Sequence, residues 1–295
     1  MSGGHAHYVI ADRDGHRVWS RHRGACTLWH DVLRGPDGTI GFIRDQKGGT
    51  ADFWMNSVWW NAVLLLDLPR RTMLVHILDD VRDPSIPEIR VWLRVVRALW
   101  PGWEVTWATR SLHAVMEYLG LPYGTVTYLD DPPFPQRPQW GGAPVEDEDL
   151  SVVAETLVAV RTESGVGFAG DWGQRMSDVL LAGPDVLLVP QQEATASAAM
   201  EAVPNNGLLL DAPNRRADWW ASDLPIGADA LPGPWQGWTL TDHGDAYEEV
   251  AALIGPELLI EPPADPAGGV LSWLERNAAG PGVRDRIRAA ALQGA

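Results

Sequence analysis

Cysteine and lysine are all but missing, with Cys26 and Lys47 the only examples of each among 295 residues. A lone thiol excludes an internal disulfide and any cluster of thiolates for zinc or for iron and sulfur. No apolar run nears the ~20 residues needed to cross a bilayer, because stretches such as Ala62 to Leu66 are soon cut by Asp or Pro. No membrane association is therefore expected. The first residues, Met-Ser-Gly-Gly-His-Ala-His, hold neither a basic segment nor an apolar one. No secretory signal is read there, and a cytoplasmic location is expected. Glycine-rich loops of the Walker or dinucleotide type are also lacking, so no phosphate-bearing cofactor is expected. His5 and His7 share one side of a strand, but His22 and His30 fall outside the tight spacing of metal ligands, and no metal site is expected.

Basic charge is scarce in one half only. Residues 1 to 135 hold 14 Arg plus Lys against 15 Asp plus Glu, whereas the remaining residues hold 9 against 24, within a net charge of -16. Such a surface repels phosphate backbones and argues against nucleic-acid binding. It suits a basic protein partner, although acidic surfaces also serve solubility alone. Phe and Tyr are few, at 4 and 5, beside 16 Trp.

What is present is a chain that repeats itself. Trp100-Pro-Gly-Trp103, closing on Tyr118-Leu-Gly120, is echoed at the same spacing by Trp235-Gln-Gly-Trp238, closing on Leu253-Ile-Gly255. Asp31-Val-Leu-Arg-Gly35-Pro-Asp37 is echoed by Val179-Leu-Leu-Ala-Gly183-Pro-Asp185. Leu64-Leu-Leu-Asp67 with Pro69 and Arg71 is echoed by Leu208-Leu-Leu-Asp211 with Pro213 and Arg215. A tandem duplication is the economical reading. Its value is that a residue carrying chemistry in one copy alone can be found by comparing the chain with itself.

Asp14-Gly15 between two β-rich runs predicts a hairpin. Ala25, Leu28, Trp29, Val32 and Leu33 follow the spacing of one helical face. Thr39 to Arg44, Ala62 to Asp67, Thr72 to Leu78 and Trp103 to Ala108 read as strands. Ile86 to Trp100 and Ser111 to Leu119 read as helices, with Ser111 as N-cap and Gly120 past the end. In the second copy strands are expected near 152–161, 165–169, 186–190, 207–211 and 237–241, and helices at 173–182 and 245–254. The long helix at 86–100 has no evident counterpart there. The expectation is an α+β fold: a tandem duplication of a unit with a mostly antiparallel sheet and helices on one face, giving two pseudo-symmetric lobes. Residues 1–130 form the first repeat, 131–150 a Pro-rich acidic linker, 151–262 the second, acidic repeat, and 263–295 a helical tail.

Two sets of residues are candidates for function. His22, Cys26 and His30 stand four apart, with Cys26 in the first turn of a helix, where the dipole favours a thiolate and an imidazole could take its proton. The competing reading is a semi-buried cysteine with no special role. The adjacent pairs Trp59-Trp60 and Trp219-Trp220 put one indole on each side of a strand, so one of each could face a partner, although Trp more often packs in the core. With Glu248 and Glu249 they form a candidate binding surface. The leading expectation is a non-enzymatic protein of the immunity or adaptor type that holds a basic protein partner through its acidic second half. The alternative is a thiol-dependent hydrolase or transferase using Cys26 with His30 or His22.

Overall fold

The computed structural model describes residues 4–55, 60–78, 84–126, 156–171, 176–187, 197–224, 226, 233, 235–277 and 281–292. In chain order the first part runs β1 (His5–Asp12), β2 (Gly15–Arg21), α1 (Gly24–Asp31), a 3-10 turn (Val32–Arg34), α2 (Gly35–Arg44), β3 (Trp60–Asp67), β4 (Thr72–Ile77), α3 (Ile86–Leu99), β5 (Glu104–Trp107) and α4 (Ser111–Leu119). The second part runs β6 (Thr156–Thr162), β7 (Gly165–Asp171), α5 (Met176–Ala182), α6 (Pro184–Leu187), β8 (Ala198–Met200), β9 (Asn206–Asp211), β10 (Arg216–Ala221), β11 (Thr239–Asp242), α7 (Tyr247–Ile254) and β12 (Leu258–Ile260). The chain closes with α8 (Pro266–Asn277) and α9 (Pro281–Ala291). Two compact units result: residues 1–131 with 264–295, and residues 132–263. The helical tail thus belongs to the first unit. The expected linker at 131–150 lies outside the described residues.

The fold is α+β, with one five-stranded sheet in each unit, ordered β2-β1-β3-β4-β5 and β7-β6-β9-β10-β11. In both, two antiparallel hairpins are joined by a parallel pairing, and a last strand adds in parallel at the edge. The hairpins are the local part, closed by tight turns. In the first unit the parallel joins need the longer connections that α1 with α2, and then α3, supply. Shared order and shared strand senses are consistent with duplicated units. The central strands β3 and β9 are buried almost throughout, which is why Ala62–Leu66 and Leu208–Leu210 are continuous apolar runs rather than alternating ones.

In the first unit one face of the sheet offers Tyr8, Ile10, Leu64, Leu66, Met73 and Val75 to α1 and α3, α8 and α9 pack against α3, and Trp29, Trp92 and Trp273 lie in the same core. The other face carries Val9, Val63 and Leu65 against Leu112, Val115 and Met116 of α4. The main helical layer therefore has a thinner counterpart across the sheet. Indoles fill the main layer: Trp29 meets Trp92 edge-on at 4.9 Å and Trp273 at 5.4 Å.

The repeated motifs hold equivalent posts. Trp100 Nε1 donates to the Val32 carbonyl at 2.7 Å and Trp235 Nε1 to the Leu180 carbonyl at 2.6 Å, each tying a strand entry to the end of a helix. Trp100 meets Trp103 and Trp235 meets Trp238 nearly at right angles. Asp67 and Asp211 each accept the backbone N–H three residues on, closing the β3–β4 and β9–β10 turns. Arg71 and Arg215 in those turns both sit at positive φ, 53° and 48°. Between β10 and β11 no helix occurs among the described residues, and Leu224, Ile226 and Trp235 fill the core instead.

Local departures from expectation have physical reasons. Thr39–Arg44 is helical, not extended: Gly35, at φ 73°, ends one helical segment and Pro36 opens the next, so Thr39 and Ile43 both face inward. Thr39 Oγ1 donates to the Asp31 carbonyl at 2.9 Å and seals that corner. The strand expected at 186–190 begins as the helical turn Pro184–Leu187, and 188–190 lie outside the described residues. Ser111 is the first helical residue, not the cap, which is Arg110, whereas Gly120 ends that helix in the left-handed region as expected.

One close approach yields a test. A Cβ on Gly207 would stand 2.0 Å from Cη2 of Trp220, its cross-strand neighbour, and that ring is fully buried with Nε1 bonded to the Pro204 carbonyl at 3.0 Å. Gly207→Ala is expected to destabilise the second unit by about 1–3 kcal/mol through overpacking. Urea unfolding measures it, and an unchanged midpoint would show that the ring yields.

Candidate functional site

The second unit holds a chain of charged groups with no counterpart in the first. Asp218 on β10 is only 2% exposed. Its Oδ1 lies 3.0 Å from Arg216 NH2 and 3.1 Å from Nε2 of His243, the first residue after β11. Nδ1 of the same imidazole lies 2.9 Å from Oε2 of Glu249, in the first turn of α7. The parallel pairing of β10 with β11 brings Asp218 and His243 together, and the His243 N–H donated to the Trp219 carbonyl fixes the strand end. Burial alone would lower the His243 pKa, but the bonds to Asp218 and Glu249 outweigh it and hold the pKa above the ordinary imidazole value.

By the register of the two hairpins and the spacing of the repeats, Asp218, His243 and Glu249 match Leu74, Ala108 and Ala114. Three apolar positions in one unit are thus three charged or titratable ones in the other. Sequence reasoning singled out Glu249 and missed Asp218 and His243. The signal was there: His243 is the only one of eight histidines beyond residue 113.

The segment that carries His243 and Glu249 is rich in carboxylates. Residues 235 to 263 contain six carboxylates, Asp242, Asp245, Glu248, Glu249, Glu257 and Glu261, and no Arg or Lys. Asp242, Glu248, Glu249, Glu257 and Glu261 are exposed, and so are Leu253 and Leu259, at 40% and 63%.

The other candidates fall elsewhere. Trp60, Trp219 and Trp220 are core residues, 8%, 2% and 0% exposed, because both faces of their strands are covered. They present no indole to a partner. Trp59 lies outside the described residues. Cys26 is exposed on α1. His22 precedes that helix, its Nδ1 3.2 Å from His5 Nε2, while His30 meets Trp273 edge-on at 5.9 Å.

Two buried polar groups of the first unit look structural. Asp31, 3% exposed, accepts from Tyr8, Thr27, Arg21 and Arg34, and both guanidinium groups also lie over the Phe42 ring. His7 is fully buried and accepts the Met55 N–H at 3.1 Å, and burial pushes its pKa down to about 4. Among the described residues no group of three or more His, Cys, Asp and Glu is placed to hold a metal ion, and no helix is long and apolar enough to cross a membrane. Compared with known protein families, curated proteins and solved structures, the chain matches none.

Proposed function

We propose that the protein acts by binding, in the manner of an immunity or adaptor protein, and that it holds a basic protein partner against the acidic surface spanning residues 242–261. One observation carries this reading. The five exposed carboxylates of that segment flank two exposed leucines, with no Arg or Lys in the segment. Carboxylates of one sign steer a cationic partner and set its register, and exposed apolar side chains supply the area that leaves water on contact. The partner chemistry that fits is an Arg- or Lys-rich face with an apolar centre.

Affinity capture from the host at rising ionic strength tests the reading. The wild-type protein should retain a basic partner at about 50 mM salt and release most of it by about 0.5 M, where charges a few ångströms apart are already screened. Replacing Glu248, Glu249 and Glu257 together by Lys should abolish retention. A wild-type protein that retains nothing at low salt, or a triple variant that retains as much as wild type, overturns the proposal.

A further inference from the structure

We infer that His243 is a proton-operated latch on Glu249, closed below its titration point and open above it. The argument is a count of hydrogens. Each ring nitrogen of His243 faces a carboxylate oxygen, Nε2 toward Asp218 at 3.1 Å and Nδ1 toward Glu249 at 2.9 Å. Only the imidazolium has two N–H groups, so only the protonated ring donates to both. The neutral ring keeps one.

Which carboxylate keeps the bond follows from burial. The Asp218 side chain is 2% exposed, so without the His243 N–H it would keep only Arg216 and could not draw on water in its place. The Glu249 side chain is 68% exposed and is rehydrated at once when released. Deprotonation therefore leaves the neutral ring on Asp218 and frees Glu249 into the acidic surface. The groups facing the ring are Asp218 and, through it, Arg216 of β10, and Glu249 of α7. Asp242 and Asp245 flank it in sequence, with Asp242 accepting the Gly244 N–H. On β9, the other strand against α7, the one charged residue is Asp211, held at the far turn by Arg161 and Asn214. With the ring charged, Asp218, Arg216, His243 and Glu249 sum to zero. With it neutral they sum to one negative charge, and that charge sits on the side chain nearest solvent.

The consequence for binding rests on the function proposed above: attraction for a cationic partner rises as pH rises through the His243 titration. The test uses the full-length protein and two readouts. Decalysine binding, followed by fluorescence anisotropy, should tighten roughly three- to fivefold from pH 5.5 to 8.5, the scale of one partly exposed ion pair. His243→Gln should abolish that rise. A rise that survives in His243→Gln overturns the latch. If decalysine fails to bind at every pH, the binding surface is refuted, and the latch is decided by nitrogen-15 NMR of the imidazole alone. There the wild-type ring should titrate above the ordinary ~6.5, and Glu249→Ala, a surface change whose fold circular dichroism can verify, should move the titration to lower pH. An unmoved titration in Glu249→Ala overturns the latch whatever decalysine does.

Discussion

Acidification from pH 6.5 to pH 4 is expected to remove about 3 kcal/mol of stability from the first unit through His7 alone. The imidazole is fully buried, accepts the Met55 N–H through Nε2, and has no hydrogen-bond partner at Nδ1 among the described residues. Desolvation by burial is the main cause that lowers its pKa to about 4; the Met55 carbonyl, 3.4 Å from Nε2, partly opposes it by accepting from the protonated ring, and His5 adds a smaller downward push. In the unfolded chain the ring titrates near ~6.5, so between those two values the unfolded state holds a proton that the native state refuses. Stability then rises with pH across this window, at about 1.4 kcal/mol per unit, and is fully present above pH 6.5.

The neighbouring windows run differently. The raised pKa of His243 adds stability that is complete below the unfolded value and fades as pH rises through the folded one. Asp67 and Asp211 have lowered pKa values despite burial, because of the bonds they accept, so their contribution is lost as pH falls below the usual carboxylate range. The summed curve should therefore peak near pH 6.5. Hydrogen exchange of β1 amides at pH 6.5 and 4.5 reads the His7 part, and His7→Gln should flatten the difference. A β1 whose protection is indifferent to pH would show that His7 finds a proton acceptor in the fold.

A second large effect is expected at the matched indoles. Trp100→Ala and Trp235→Ala should each destabilise their own unit by about 3–5 kcal/mol, the cost of deleting a large buried ring. The carbonyls of Val32 and Leu180 would also lose their indole donors, adding about 1–3 kcal/mol where water cannot enter. Domains are stable by only about 5–15 kcal/mol, so either change takes its unit close to unfolding. Trp→Phe at the same positions retains most of the packing and loses the hydrogen bond, with a smaller penalty of about 1–3 kcal/mol. Exchange protection of β3 for Trp100 and of β9 for Trp235 checks both. A loss below about 1 kcal/mol in either Ala variant would contradict the structural role given to the repeated Trp-Gly-Trp turn.

What could be read from the sequence was local. Asp14-Gly15 closes β1–β2, the spacing of Leu28, Trp29 and Val32 makes a helical face, and Gly120 ends α4, because each depends on residues within a turn or two. Thr39–Arg44 reads as a strand yet is helical, since Thr39, Ile40, Phe42 and Ile43 satisfy both periods and only the Gly35-Pro36 break decides between them. The site was hidden for another reason. Asp218 and His243 lie 25 residues apart and meet only through the β10–β11 register, which no local pattern encodes. Trp60, Trp219 and Trp220 misled because a strand covered on both faces has no solvent side to offer.

The return of the last helices to the first unit bears on how the protein is made. Val270, Trp273, Leu274, Ile287 and Ala291 close the same core as α3, yet the ribosome delivers them after all of residues 132–263. At about 5–20 residues per second, the outer side of α3 waits roughly 10–30 s for its cover. During that interval the side of α3 that α8 and α9 cover is open to chaperones and to other nascent chains, while the second unit emerges as an unbroken stretch and meets no such delay.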